Sequence, residues 1–260
     1  MQTIPKDYPT EYIDGSVTFF GRHFVVTPAV LIPRLETESL VRRARQLLSG
    51  SPPSRGSQRG NSQSTPPSLP YSKEEWNQPT IIVDIGCGSG IIGTSVADLA
   101  DEVIFLDISE TALAITEKNF RTHFPEKQAQ FIVSDLLSAL PISYLLSPTA
   151  SLLFITNLPY IKADDWIHMS ADTIHEPRLA LFGGEQTGFE MYERLFRELD
   201  SVKLWNCNSV KLLYEFGFDQ RAIAESVLEQ YPQWQSSFFA DYAGIERFGE
   251  VIVLKKPELV

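Results

Sequence analysis

Short apolar runs alternate with segments of helical spacing from residue 80 to the end of the chain. Strands are predicted by TIIVDI, EVIFLDI, AQFIVSD, SLLFITN and SVKLLYEF, which occupy residues 80–85, 102–108, 129–135, 151–157 and 209–216. Helices are predicted over residues 91–100, 109–124, 188–199 and 220–231. Ser109 is a suitable N-cap for the second of these helices. Such alternation predicts a parallel sheet whose strands are joined by right-handed crossovers.

The last part of the chain departs from this alternation. Two further strands, SSFFA at residues 236–240 and GEVIVLKK at residues 249–256, follow each other with no helical segment between them. We therefore expect them to pair as an antiparallel hairpin. The whole pattern predicts an α/β protein with a Rossmann-like, seven-stranded and mostly parallel sheet that ends in a C-terminal antiparallel hairpin.

Residues 49–79 interrupt the pattern. Ser, Pro, Gly and Gln dominate this segment, and apolar residues are almost absent from it until Tyr71. Because so few apolar groups cannot offset the entropy of ordering the chain, we predict a disordered insertion. It separates an N-terminal linking segment, residues 1–48, from the main domain at residues 80–260. The linking segment is predicted to consist of a hairpin-like stretch and a helix.

Composition narrows the class of protein. Hydrophobic residues make up 43% of the 260 residues, and no apolar run approaches the ~20 residues that a membrane span needs. The N-terminus resembles neither a signal nor a transit peptide, so we expect a cytoplasmic protein without membrane association. The net charge of -11 makes nucleic acid an unfavourable direct substrate. The 2 Cys and 4 His are not at zinc-ligand spacing, and no metal is expected.

The first candidate site is the run VDIGCGSG, in which a strand ends in a glycine loop that opens a helix. Glycines let the backbone turn sharply there and allow a ligand to approach it closely, as adenosine cofactors do. Asp107, at the end of the next strand, is placed to accept hydrogen bonds from both ribose hydroxyls. Asp135 could receive the adenine amine, and Leu136 could lie against the ring. The predicted cofactor-binding residues of the loop are Asp84, Gly86, Cys87, Gly88, Ser89 and Gly90.

The glycine loop alone leaves two classes of enzyme open. Read from Gly88, GSGIIG also matches the G-x-G-x-x-G fingerprint of dinucleotide-binding dehydrogenases. Two features favour an S-adenosylmethionine-dependent methyltransferase fold instead. Asp84 immediately precedes the loop, and the fourth strand of the sheet ends in NLPY.

The NLPY corner, residues 157–160, is the second candidate site. Asn157 Oδ1 and the carbonyl of Leu158 are suited to accept both N–H bonds of a planar amide or aromatic amine. Such a grip would orient the nitrogen lone pair toward an arriving methyl group. Pro159 rigidifies the turn, and Tyr160 supplies an apolar wall. These four residues are the predicted catalytic residues, acting by positioning and electrostatics.

Three further blocks resemble the HemK/PrmC family of peptide chain release factor glutamine methyltransferases. Residues 11–41 are similar to the segment that leads into L-I-P-R-P-E-T-E in the family; they read EYIDGSVTFFGRHFVVTPAVLIPRLETESLV. NLPYI is similar to N-P-P-Y-I, with Leu158 in place of the first Pro. EPRLALFGGEQTGFEMYERLF, residues 176–196, is similar to E-P-x-x-A-L-x-G-G-x-D-G-x-x-x-Y. The chain is expected to lack the helical domain that precedes these blocks in the family.

The resemblance implies an activity and a set of site residues. It implies methylation of the glutamine amide in the GGQ motif of a release factor, by an enzyme that we expect to be a monomer. Asn157 is implied to contact S-adenosylmethionine together with the loop, Asp107 and Leu136. Substrate would meet residues 157–160 and, near the cleft mouth, Arg34, Glu36, Glu38, Glu176 and Pro177.

Two alternatives remain open at this point. NLPY also occurs in enzymes that methylate the exocyclic amine of adenine in RNA or DNA, which would require a basic approach surface and an extruded base. The other alternative is a binding module that kept the fold but lost catalytic turnover. The overall acidity counts against the first alternative, and the persistence of the cofactor acids and of the NLPY corner counts against the second.

Overall fold

The computed structural model describes residues 5–50, 78–141, 150–201 and 209–253. Most of the predicted disordered insertion, residues 51–77, lies outside this part of the chain, and so does Cys207. No helix among the described residues is both long and apolar enough to cross a membrane.

The described residues form one large sheet and two small ones. The strands are β1 (Ser16–Phe19), β2 (Arg22–Val25), β3 (Thr80–Ile85), β4 (Glu102–Asp107), β5 (Ala129–Val133), β6 (Ser151–Thr156), β7 (Ile161–Lys162), β8 (Phe182–Gly184), β9 (Ser209–Glu215), β10 (Gln235–Ala240) and β11 (Glu246–Ile252). The α-helices are α1 (Thr10–Asp14), α2 (Thr37–Ser49), α3 (Ile91–Val96), α4 (Glu110–His123), α5 (Glu190–Ser201) and α6 (Arg221–Leu228).

The large sheet has seven strands in the order β10-β11-β9-β6-β3-β4-β5. Strands β9, β6, β3, β4 and β5 are parallel, whereas β11 runs antiparallel to both β9 and β10. The predicted fold class is therefore confirmed, including the C-terminal antiparallel hairpin. The hairpin's second strand starts at Glu246, three residues before the predicted start at residue 249.

Helices cover both faces of the sheet, which explains why its central strands are apolar without alternation. Ile81, Val83 and Ile85 of β3 face a cluster that includes residues of α5 and α6. Ile82 faces the opposite cluster, to which α2, α3 and α4 contribute. The Ser109 hydroxyl accepts a hydrogen bond from the Ala112 N–H at 3.2 Å, which confirms it as the N-cap of α4.

The N-terminal hairpin β1–β2 and helix α2 pack onto the second of these faces. Phe19, Phe24 and Leu40 share one hydrophobic cluster with Ile82. Asn119 of α4 extends the contact, because its side-chain oxygen accepts from the Val25 N–H at 2.7 Å and its nitrogen donates to the Val25 carbonyl at 2.9 Å. The hairpin-like segment and helix predicted before residue 48 are present, and the division into domains stays a prediction.

Strand register brings the carboxyl ends of the central strands to one edge of the sheet. Ile85 pairs with Leu106 and with Thr156, and Thr156 pairs with Tyr214. The residues that follow these partners therefore lie side by side. In open α/β sheets ligands bind at this edge.

Candidate active site

The glycine loop between β3 and α3 has a backbone that only glycine adopts without strain. Gly86, Gly88 and Gly90 have φ values of 65°, 57° and 74°. A Cβ on Gly90 would lie 2.6 Å from Thr116 Cγ2, and one on Gly86 would lie 2.9 Å from Leu158 Cδ2. Gly88 differs, because a Cβ there would meet no protein atom within 4 Å. The loop is therefore packed at both ends and open in the middle.

Two buried carboxylates hold this loop in place. Asp84 Oδ2 accepts from the Gly93 N–H at 2.8 Å, and burial raises the pKa of this carboxyl to about 7. Asp107 accepts from the Gly88 N–H at 2.8 Å with one oxygen and from the Ser109 N–H at 2.9 Å with the other. Burial also raises the pKa of Asp107. Each Asp107 oxygen keeps a lone pair for a further donor.

A cavity of about 480 Å³ opens over the loop. Apolar side chains and a few polar groups line it. The sequence-predicted cofactor residues that line it are Gly86, Cys87, Gly88, Ser89, Asp107, Asp135, Leu136 and Asn157. Asp84 and Gly90 do not line it and act on the loop from behind.

The residues after β5 form one end of this cavity. Leu136 has a φ of 52°, and the Ser134 hydroxyl donates to its carbonyl at 2.8 Å, which stabilises this uncommon backbone. Asp135 accepts from Arg194 Nη2 at 2.8 Å. Arg194 of α5 was not predicted as a site residue, although it lines the same cavity.

A second cavity of about 540 Å³ adjoins the first. The two share the lining residues Leu31, Arg34, Asn157, Leu158, Pro159 and Ala180. Tyr160 lines the second cavity only, and burial raises the pKa of its hydroxyl. The NLPY corner is thus the wall at which the two cavities meet, and the predicted catalytic residues all lie there.

The Asn157 side chain is oriented by residues from two distant elements. Its Nδ2 donates to Thr37 Oγ1 at 3.4 Å, and the Thr37 hydroxyl donates to Glu215 Oε2 at 2.8 Å. Glu215 is 1% exposed, and burial raises the pKa of its carboxyl to about 7. Since the amide nitrogen faces Thr37, the Asn157 oxygen is directed away from it.

The backbone of Leu158 is fixed by Tyr192 of α5. The Leu158 N–H donates to the Tyr192 hydroxyl at 2.9 Å. That hydroxyl donates in turn to the backbone carbonyl of Glu215. Because a phenol has a single proton to donate, the Leu158 carbonyl, 3.4 Å from the same hydroxyl, remains free to accept from another group.

An ion pair joins two of the blocks that resemble the HemK/PrmC family. Arg34 Nη2 lies 2.6 Å from Glu176 Oε1, and Glu176 Oε2 accepts from the Ile32 N–H at 3.2 Å. The Glu176 side chain is 1% exposed, and burial raises the pKa of its carboxyl despite the arginine. Pro177 lines the first cavity. Arg34 lines both cavities, whereas the buried Glu176 lines neither and holds Arg34 from behind the wall.

The two glutamates near α2 lie farther from the cavities. Glu36 accepts from the Tyr242 hydroxyl at 3.4 Å and lines neither cavity. Glu38 binds the N-terminal hairpin through the Phe20 N–H at 3.1 Å.

Sequence reasoning missed Thr37, Glu215, Tyr192 and Arg194. Tyr192 and Arg194 lie inside the third block similar to the family but were not singled out. Glu215 had one readable signal, since it is an acid at the end of a strand rich in apolar residues. Thr37 lies inside the first of these blocks but was not singled out, because its role depends on contacts with residues more than a hundred positions away.

The first cavity fits the adenosine cofactor predicted from the sequence. A Cβ on Gly88 would extend into open cavity space, so the absence of a side chain there leaves room for a ligand. Asp107 offers a buried carboxylate with unused lone pairs beside that space. Together with the strand order and the NLPY corner, this defines the chain as a Rossmann-like methyltransferase.

Comparison with known proteins agrees with the assignment as a methyltransferase and identifies the family. Residues 73–146 match the family model "Methyltransferase small domain". The release factor glutamine methyltransferase of Enterococcus faecalis is 31% identical over 93% of this chain and 74% of its own length. That of Nitratidesulfovibrio vulgaris is 31% identical over 92% of this chain and 71% of its own length. The chain belongs to the release factor glutamine methyltransferase family.

A solved structure shares the fold at much lower identity. The catalytic domain of human METTL16, solved in complex with an RNA hairpin, is 9% identical and has a TM-score of 0.57. The alignment covers 95% of this chain and 90% of that one. This likeness supports the fold and nothing further about the substrate.

Proposed function

We propose that this protein transfers a methyl group from S-adenosylmethionine to the side-chain amide nitrogen of a glutamine in a peptide chain release factor. One observation carries the proposal. A primary amide has two N–H bonds and needs one hydrogen-bond acceptor for each. The residues that supply these acceptors, Asn157 with its Oδ1 and Leu158 with its carbonyl, lie on the wall shared by the two cavities. Membership of the family supplies the class of substrate.

The first cavity would hold the cofactor. Asp107 would accept hydrogen bonds from the ribose hydroxyls, and Leu136 would lie against the adenine. Gly88, which has no side chain, would let the ligand come close to the backbone. S-adenosylmethionine supplies a methyl group made electrophilic by its sulfonium. The second cavity would hold the glutamine and its neighbours, with Tyr160 beside the planar amide.

Catalysis then rests on orientation of a poor nucleophile. An amide lone pair is delocalised over the carbonyl group, and accepting both N–H bonds at Asn157 and Leu158 aims the nitrogen at the first cavity. A nitrogen–methyl bond forms as the sulfur–methyl bond breaks, and the nitrogen then releases one proton to solvent. The fixed acceptors stabilise the positive charge that develops on the nitrogen in the transition state.

The surroundings of the cavities favour a protein substrate over a small molecule. Leu179 lines the first cavity and is 62% exposed, and Phe218 lines the second and is 70% exposed. Large apolar side chains exposed beside a site are typical of a surface that a partner covers. A monomeric enzyme, a cytoplasmic location and the exclusion of nucleic acid as substrate stay predictions.

Methyl transfer from labelled S-adenosylmethionine tests the proposal. Purified release factor, the same protein with its GGQ glutamine changed to Ala, and total RNA are offered in parallel to the wild-type enzyme and to Asn157→Ala. We expect label on the release factor alone, lost in either variant. Equal labelling of both release factor proteins contradicts the glutamine assignment. Label on RNA would support adenine methylation instead, and absence of S-adenosylmethionine binding by calorimetry would support a non-catalytic module.

A further inference from the structure

Strand β9 ends at a residue that contacts the amide site twice without lining it. Glu215 is not among the lining residues of either cavity. Its side chain accepts from Thr37, and its backbone carbonyl accepts from Tyr192. Each of these hydroxyls accepts a hydrogen bond from one of the two residues that supply the acceptors described above, from Asn157 Nδ2 or from the Leu158 N–H.

We propose that Glu215 is a positioning residue for both acceptors, acting on Asn157 through the Thr37 hydroxyl and on Leu158 through the Tyr192 hydroxyl. The inference rests on the proposed function, because it concerns the same amide site. It goes beyond that function in assigning roles to three residues that touch no reacting atom in the proposed mechanism.

The direction of the first relay follows from the chemistry of its groups. When Glu215 is ionised its carboxylate can only accept, so in that state the single proton of the Thr37 hydroxyl is donated to it. The Thr37 oxygen can then only accept from Asn157, which fixes the Asn157 amide with its nitrogen toward Thr37. The Asn157 oxygen is thereby held toward the substrate. Without the carboxylate, the amide could turn over and present a donor to the glutamine N–H.

The second relay fixes the peptide rather than a side chain. Tyr192 is fully buried and accepts from the Leu158 N–H while donating to the Glu215 carbonyl. The Asn157–Leu158 peptide group, which directly precedes the Leu158 carbonyl in the chain, is therefore tied to the same strand end. Strand register supports this, since Thr156 pairs with Tyr214 and so places Asn157 level with Glu215.

The test uses Thr37→Val, which keeps the shape of the side chain, Thr37→Ser, which keeps the hydroxyl, Glu215→Gln, and the double variant Thr37→Val/Glu215→Gln. Glutamine at 215 can turn its amide to donate to Thr37, so the direction of the relay is no longer fixed. Thr94→Val is the matched control, because Thr94 is fully buried and its hydroxyl has no hydrogen-bond partner among the described residues. Each full-length protein is assayed for kcat on purified release factor, for S-adenosylmethionine affinity and for Tm.

We expect Thr37→Val and Glu215→Gln each to lower kcat by about tenfold or more, as loss of alignment at a reacting centre does. S-adenosylmethionine affinity should be unchanged, Thr37→Ser should recover most of the rate, and the double variant should be no slower than the slower single variant. Wild-type kcat in Thr37→Val, or losses that multiply in the double variant, would overturn the relay. Asn157→Ala distinguishes failure of the proposed function from failure of the relay. If Asn157→Ala stays active, the assignment of the amide site is wrong. If Asn157→Ala is inactive while Thr37→Val is fully active, only the relay is refuted.

Discussion

The two sides of this site are held together in different ways. The cofactor wall, formed by residues 86–89 and Asp107, is fixed by contacts that are local in sequence. Asp84 reaches Gly93 and Asp107 reaches Gly88, over 9 and 19 residues. The amide wall, formed by residues 157–160, is fixed from afar, since Asn157 and Thr37 are 120 residues apart.

This difference shows which kind of contact gives each wall its geometry. A glycine loop follows from backbone geometry, because positive φ angles and open space for a ligand can be supplied by residue type alone. An amide that must point one way needs a partner on a different element, and only the packed fold brings that partner within reach. Substitutions in the two walls should therefore fail in different measurements.

The largest effect is expected from the amide wall. Asn157→Ala removes one of the two acceptors for the substrate amide, and kcat on release factor should fall by about 10²- to 10³-fold, the range found when one preorganised polar group is lost. Tm should change little. Single-turnover kinetics with saturating S-adenosylmethionine measures the loss, and a Thr94→Val protein assayed beside it should retain the wild-type rate.

Tyr192→Phe should disturb the amide wall, because the Tyr192 hydroxyl holds the backbone of Leu158. The variant leaves the Leu158 N–H and the Glu215 carbonyl without the hydroxyl that pairs them, which should cost about 1–3 kcal/mol of stability and lower kcat as well. Tyr214→Phe is the matched control. Tyr214 is equally buried, but its hydroxyl has no hydrogen-bond partner among the described residues.

Urea unfolding and kcat measured on both phenylalanine variants decide the point. Equal free energies of unfolding for Tyr192→Phe and Tyr214→Phe would show that the Tyr192 hydroxyl contributes nothing. A loss confined to Tyr192→Phe would sharpen the contrast between the two walls.

Gly88→Ala should separate strain from ligand contact in the cofactor wall. Gly88 and Gly244 both have positive φ, 57° and 82°, and a Cβ at either position meets no protein atom within 4 Å. Substitution by alanine at either position should therefore lower the free energy of unfolding by about 1–2 kcal/mol. Only Gly88→Ala should also weaken S-adenosylmethionine binding, by roughly tenfold, because its methyl group would occupy cavity space. Calorimetric titration showing equal affinity in both variants would refute the placement of the cofactor over Gly88.

The smallest effect concerns pH and the buried Glu215. Burial raises its pKa from 4.5 to about 7 in the folded protein. Between these values the folded protein holds a proton that the unfolded chain has released, so this group's contribution to stability falls as the pH rises. Wild-type stability should therefore decline relative to Glu215→Gln by about 1 kcal/mol between about pH 5.5 and 6.5. Thermal unfolding of both proteins at several pH values measures this, and parallel profiles would count against the raised pKa.

The fold was predictable from hydrophobic pattern to within a few residues. Strand β3 matches its predicted bounds, and α4 begins after the predicted cap, because a buried run closed by glycine or a capping serine is decided locally. The helix predicted over residues 91–100 ends at Val96 and continues as a single 3₁₀ turn at Ala97–Leu99. Helix ends of this kind depend on packing as much as on residue type.

By itself, the sequence determined the order of strands and helices, the glycine loop with its acids, and the position of the Asn-x-Pro-Tyr corner. These follow from residue types at short spacing, where backbone geometry and local hydrogen bonds decide the outcome. Only the tertiary structure decided that Arg34 joins Glu176, that Tyr192 holds Leu158, and that Thr37 and Glu215 set the direction of Asn157. The physical reason is that these hydrogen bonds are directional and short, so they exist only where folding brings distant residues within about 3 Å of each other.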